Sequence, residues 1–171
     1  RLMKTLFVLR HAKSSWDNPD WADFERPLNS RGLDAARFMG ELIYNRDLQP
    51  QIIVSSPAKR AKQTAVLVKE IAGIAKPIKF DERIYEASPL TLFNLIREFD
   101  DRFESVLIVG HNPGFENLVR LLTAETVSMP TAALARINLK IEKWSDAETG
   151  TNELEFLIRP KEEMKNSRAN L

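Results

Sequence analysis

The chain is punctuated by four short apolar runs, Thr5–Leu9, Ile52–Val54, Val106–Val109 and Leu154–Ile158, and these restrict the fold more than any other feature. They are too short for buried helices, and runs of this shape suit strands covered on both faces. Between them apolar residues recur at helical spacing, as in Leu92, Leu95, Ile96 and Phe99, and again in Phe115, Leu118, Val119 and Leu122. Two stripes of mostly small residues (Ala61, Ala65, Val68, Ala72; Leu33, Ala36, Gly40, Ile43) suit helices packed closely on a sheet. Strand and helix in alternation predict βαβ units with right-handed crossovers around a parallel sheet. The end of the chain differs. Ala135, Ile137, Leu139 and Ile141 alternate with polar residues, and polar Ser145–Asn152 can turn the chain into Leu154–Ile158, which predicts an antiparallel hairpin. The expected architecture is therefore α/β: a three-layer αβα sandwich with a mostly parallel central sheet and an antiparallel C-terminal edge hairpin. A length of 171 residues suits one domain, expected over residues 1–160, with 161–171 as a mobile polar tail.

Composition narrows the chemistry. A formal net charge of +1 argues against a broad nucleic-acid surface. There are no cysteines, so neither a disulfide framework nor a thiolate nucleophile exists. Only two histidines occur, too few for a multi-histidine metal site, and no Asp/Glu cluster advertises magnesium. No metal and no cofactor are expected. The apolar run at Leu6–Leu9 is too short for a signal-peptide core or a membrane span, so a cytoplasmic protein without membrane contact is expected. Neither a G-x-x-x-x-G-K-[ST] loop nor a G-x-S-x-G elbow is present.

The segments directly after the runs carry the chemistry. The first run leads into Arg10-His11-Ala12-Lys13-Ser14, the second into Ser55-Ser56-Pro57-Ala58-Lys59-Arg60, and the Val106–Val109 run into Gly110-His111-Asn112-Pro113-Gly114. Ligands of open α/β sheets bind beyond the carboxyl ends of parallel strands, so neighbouring strands would aim all three segments at one crevice. Ser56-Pro57, Ser88-Pro89 and Asn112-Pro113 each pair a capping residue with a proline suited to the first helical position. Helix N-termini favour anions, and the planar forks of Arg10 and Arg60 match phosphate oxygens. Singly, each arginine, histidine or Ser-Pro pair is ordinary. Together they describe a phosphate pocket in which both histidines of the chain come directly after apolar strands.

At these residues the chain resembles the histidine phosphatase superfamily, also called phosphoglycerate-mutase-like, and within it the SixA-type phosphohistidine phosphatases. The likeness rests on Leu9-Arg10-His11-Ala12-Lys13-Ser14 with Trp16, and on Arg26-Pro27-Leu28 with Arg31-Gly32. It continues through Ser55-Ser56-Pro57 with Arg60-Ala61 and Gln63-Thr64-Ala65, Tyr85-Glu86-Ala87-Ser88, and Val109–Gly114. It runs from the first strand to about Leu122. The resemblance implies His11 as nucleophile and Arg10, Arg60 and His111 as the rest of the phosphate pocket, without a metal. It places Glu86 where many members carry an acid, though a surface carboxylate before the Ser88-Pro89 cap is an equal reading. Asn112 and Ser14 are further phosphate-binding candidates.

The mechanism expected is double displacement: neutral His11 attacks phosphorus, and water then releases the phosphoryl group. Two nearby arginines would keep His11 neutral, a backbone carbonyl would fix its tautomer, and a protonated His111 would share the phosphoryl charge. The expected substrate is phosphohistidine on a protein. The alternatives are a small phosphate ester, which needs an acid such as Glu86, and a non-catalytic phosphate-dependent binding module. Asp17, Asp20 and Asp23 are read as loop charges, within a long Asp17–Pro27 loop carrying Trp21 and Phe24 beside Trp16.

Overall fold

The computed structural model describes residues 3–169. Among these residues six strands form one sheet in the order β3-β2-β4-β1-β5-β6, with β1 Lys4–Arg10, β2 Ile52–Ser55, β3 Lys79–Phe80, β4 Ser105–Gly110, β5 Leu134–Leu139 and β6 Glu153–Ile158. β1, β2, β3 and β4 run parallel; β5 is antiparallel to β1, and β6 to β5. Five helices accompany them: α1 Ser30–Asn45, α2 Lys59–Ala72, α3 Pro89–Ile96, α4 Gly114–Thr123 and α5 Pro160–Ala169.

Period-two alternation along the buried strands sorts the core into two layers. Leu6 and Val8 of β1 face Leu92, Ile96, Phe115 and Leu118 of α3 and α4. Phe7 and Leu9 face Ala36, Met39, Ala61 and Ala65 of α1 and α2. The continuous apolar runs result directly, because each parallel strand is covered on both sides. The small-residue stripes let α1 and α2 approach closely: a methyl group added at Gly40 would sit 2.9 Å from Ile71 Cβ.

Some local expectations change. β3 has only two residues, both exposed, so no apolar run announces it. Ser88 caps α3 by accepting from the Thr91 amide, with Pro89 in the first turn. By contrast, α2 begins after Ala58 and α4 after Pro113, so Pro57 and Pro113 stand outside their helices. Both belong to the chain's exit from a strand, where loop geometry overrides the capping signal. Residues 161–169, expected as a mobile tail, continue the helix α5 from Pro160, while residues 170 and 171 lie outside the described residues. Helix α5 is polar enough to look unstructured in sequence, yet Glu163 pairs with Arg46 at the end of α1 (2.9 Å). No helix among the described residues is long and apolar enough to cross a membrane.

Candidate active site

Strand order brings the predicted segments together. β4 lies between β1 and β2, with Arg10 in register with Gly110 and Ser55 with Val109. The loops after these strands therefore leave the same end of the sheet side by side. Gly110 tolerates no side chain here, since an added Cβ would stand 2.6 Å from the Phe115 ring.

His11 is buried and its ring is held from one side. Nδ1 lies 2.7 Å from the Ala12 carbonyl oxygen, and a carbonyl can only accept, so Nδ1 carries the proton and Nε2 is left with a lone pair. The Arg60 Nε–H points at Nε2 from the long distance of 3.4 Å. Burial, followed by the influence of His111, Arg60 and Arg10, pushes the His11 pKa down to about 3. The ring is thus neutral at physiological pH, as the arginines alone were expected to make it, but withdrawal from water is the larger cause.

His111 stands beside it, ring centroids 5.1 Å apart. Its Nε2 is 2.8 Å from the Ser56 hydroxyl, while Nδ1 is buried without a partner. Burial and the Arg60 charge bring its pKa down to about 4, so the expected protonated His111 is corrected to a neutral ring in the free protein. Arg10 donates through Nη1 to the Met129 carbonyl (3.0 Å) and leaves Nε buried and unpartnered. Asn112 donates to the same carbonyl (2.9 Å), with its Oδ1 unpartnered. Thr64 ties the assembly: its hydroxyl donates to the Arg60 carbonyl (2.7 Å) and accepts from the Ala12 amide (3.0 Å), coupling the first turn of α2 to the His11 loop. On the other flank the Ala132 amide donates to the carbonyls of Arg10 and His11 (3.1 and 3.0 Å).

Arg10, His11, Arg60, His111 and Asn112 therefore share one cluster. Ser14 and Glu86 do not join it. The Ser14 hydroxyl accepts from Arg26 Nη2, whose guanidinium also stacks on exposed Trp16 at 3.4 Å from the ring centroid. Glu86 is exposed, in a left-handed backbone conformation (φ 53°), and makes no hydrogen bond among the described residues.

The residues that sequence reasoning missed are Asp23 and Tyr85. Asp23 opens a 3-10 turn within the long loop. Its carboxylate accepts from Arg60 Nη2 (3.1 Å), from Arg26 Nη1 (3.3 Å) and from the Tyr85 hydroxyl (2.6 Å), while its carbonyl accepts from Arg60 Nη1 (2.7 Å). The Tyr85 hydrogen bond, with the Arg60 and Arg26 charges, holds the Asp23 carboxyl below the usual range, so it is ionised. The Tyr85 ring meets His111 edge-on at 5.5 Å and Phe24 at 5.1 Å. Only the aromatic-rich loop hinted at this, because Arg60 and Tyr85 lie 37 and 62 residues away from Asp23 in the chain.

A parallel α/β sheet whose strand ends gather two neutral imidazoles and two guanidinium groups, with the Arg10 Nε–H left unpaired, fits the class of proteins that receive a tetrahedral oxyanion. The sequence profile described as the histidine phosphatase superfamily (branch 1) matches residues 6–92, and the chain belongs to that family. Among its relatives are an uncharacterized Mycobacterium tuberculosis protein, 32% identical over 83% of this chain and 93% of its own length, and the phosphohistidine phosphatase SixA of Escherichia coli, 27% identical over 78% and 84%. The crystal structure of the Agrobacterium tumefaciens protein named SixA superposes with a TM-score of 0.79 at 28% identity, covering 92% of this chain and 98% of that one.

Proposed function

We propose that this protein is a phosphatase that removes the phosphoryl group from phosphohistidine on a protein, through a phosphoenzyme formed on His11. The observation that carries the reading is the pinned, neutral His11, with its Nε2 lone pair beside Arg60 and its ring against His111. In the first step Nε2 forms a bond to phosphorus while the bond to the substrate's imidazole nitrogen breaks and its electron pair returns to that nitrogen. In the second, water attacks phosphorus and the electron pair returns to Nε2. Both steps require charge stabilisation at the equatorial oxygens. Arg10 Nε and Arg60 supply it, joined by His111 Nδ1–H in the tautomer whose Nε2 accepts from the Ser56 hydroxyl (2.8 Å). With this charge in place the reaction needs no metal ion. Asp23, one guanidinium away from His11, is ionised and suited to orient the water and take its proton.

The choice of substrate rests on the proton donors. An alkoxide leaving group demands an acid, yet Asp23 is ionised and Glu86 is exposed, with no hydrogen bond among the described residues. A phosphohistidine ring protonated on its other nitrogen leaves phosphorus as neutral imidazole without that help. SixA of Escherichia coli, a relative over most of both chains, is named for the same activity. The test is phosphate release from a panel of phosphohistidine proteins and small phosphate esters in the presence of a metal chelator. Phosphohistidine should be hydrolysed and esters should lag far behind, with Glu86→Gln leaving the phosphohistidine rate unchanged. Faster ester turnover that collapses in Glu86→Gln would replace this reading with that of a small-molecule phosphomonoesterase. Tight phosphoprotein binding without phosphate release would make the protein a binding module.

A further inference from the structure

A second concave feature adjoins the His11 loop. Helices α1 and α5 bound a groove of about 710 Å³ whose walls carry Lys13, Arg31, Lys161, Lys165 and Arg168. Its one carboxylate, Asp34, is already engaged by Arg37 at 3.6 Å. Among the described residues none of the five cations is part of an ion pair. Five cations against one carboxylate leave four positive charges in surplus, while the whole chain totals +1, so the rest of the molecule carries −3. The positive charge is therefore gathered here rather than spread. Apolar Ala35, Pro130, Pro160 and Met164 also line it. The groove also abuts the catalytic loop: Lys13 lies two residues beyond His11, and Thr131 precedes Ala132, whose amide holds the Arg10 and His11 carbonyls.

We propose that this groove docks an acidic, amphipathic segment of the phosphorylated protein, beside the phosphohistidine that enters the active site. The proposal rests on the protein-phosphohistidine reading above. A lining that combines apolar residues with a surplus of cations matches a peptide with apolar residues on one face and carboxylates beside them. Single-stranded nucleic acid would call for aromatic platforms, and none lines the groove. A flat bilayer surface is a poor fit to a concavity between two helices.

Two measurements on the full chain test this. Fluorescence anisotropy compares a labelled Glu/Leu amphipathic peptide, its Lys/Leu counterpart, an RNA oligonucleotide and phosphatidylglycerol vesicles, on the native protein, on Lys161→Glu/Lys165→Glu and on Arg31→Glu. The acidic peptide should bind alone among these probes, and each charge-reversed protein should weaken it about tenfold or more at low salt. Turnover is measured in parallel on free phosphohistidine and on a phosphohistidine peptide with acidic flanks. The variants should raise KM about tenfold for the flanked peptide and leave free phosphohistidine unaffected. Absent peptide binding, equal binding by native and reversed proteins, or tighter binding of oligonucleotide or vesicles overturns the proposal. If neither phosphohistidine substrate turns over, the catalytic reading fails instead, and anisotropy alone then decides the groove. Arg31 lies on α1, so it tests the groove even if the α5 pair disturbs that helix.

Discussion

The two ends of the sheet bury polar groups on opposite terms. At the amino end of β1, Lys4 is 1% exposed, yet its ammonium donates to the carbonyls of Asp101 (2.6 Å) and Phe103 (3.1 Å). It also lies 5.8 Å from the centroid of Trp144, whose own indole N–H donates to Phe103 (2.9 Å). At the carboxyl end, Arg10 Nε, His111 Nδ1 and Asn112 Oδ1 are buried with no partner, and they are the only such side-chain atoms among the described residues. A buried polar atom left unpaired costs stability, so three gathered in one place mark groups kept ready for something that arrives later. Cavity size gives the contrary signal. A cleft of about 1190 Å³ opens at the amino end, lined by Met3, Gln51 and Ser105 among others, and it contains neither histidine. Satisfied burial marks architecture here, and orphaned burial marks chemistry.

The contrast can be broken by removing one group from each end. His11→Asn should reduce turnover to the uncatalysed level and abolish phosphoenzyme labelling, with little loss in the urea midpoint. Residual labelling at the native rate would remove His11 as the nucleophile. Arg60→Ala should lower kcat by about 10²–10³-fold, as loss of a transition-state donor does, and Arg60→Lys should recover little because a point charge does not reproduce the fork. An unchanged rate would take Arg60 out of the phosphate pocket. Lys4→Met should do the reverse, costing about 3 kcal/mol of unfolding free energy by leaving two carbonyls without their donor, while kcat stays the same. A kinetic defect in that variant would erase the distinction between the ends.

Acidification sharpens the same contrast on a smaller scale. Both histidine pKa values lie below the unfolded value of about 6.5, at about 3 and about 4. Between about pH 6.5 and pH 4 the unfolded chain binds protons that the folded chain refuses, so stability is complete above that window and falls as pH drops through it. Each histidine contributes a slope of at most about 1.4 kcal/mol per pH unit. Urea unfolding from pH 7 to 5 should show the loss, and His11→Asn should flatten it. Because the chain has only two histidines, both imidazole NMR signals can be followed. Neither should titrate near pH 6.5; an inflection there would mean that the rings are far wetter than the structure has them.

The range of the interactions decides how much of this was legible in the sequence. β1, β2 and β4 were readable because a strand buried on both faces needs an apolar run, and Arg10, His11, Arg60 and His111 were readable because they come just after those runs. β3 was not, since two exposed residues make no pattern. Asp23 looked like one of three loop carboxylates, and only tertiary folding carries it to Arg60 and Tyr85. Glu86, which the sequence left equally as an acid or a surface carboxylate, is exposed, while its neighbour Tyr85 enters the cluster. The cap signals were right at Ser88 and misleading at Pro57 and Pro113, where the local rule competes with strand exit.

The bond from His11 Nδ1 to the carbonyl of Ala12 has one more consequence. A ring tethered to the backbone beside it cannot turn over between the two halves of the proposed reaction, so that mechanism places both displacements on one fixed nitrogen. Each inverts the handedness of an isotopically chiral phosphorus, and the pair restores it. Phosphate released from such a substrate into labelled water should emerge with its original configuration.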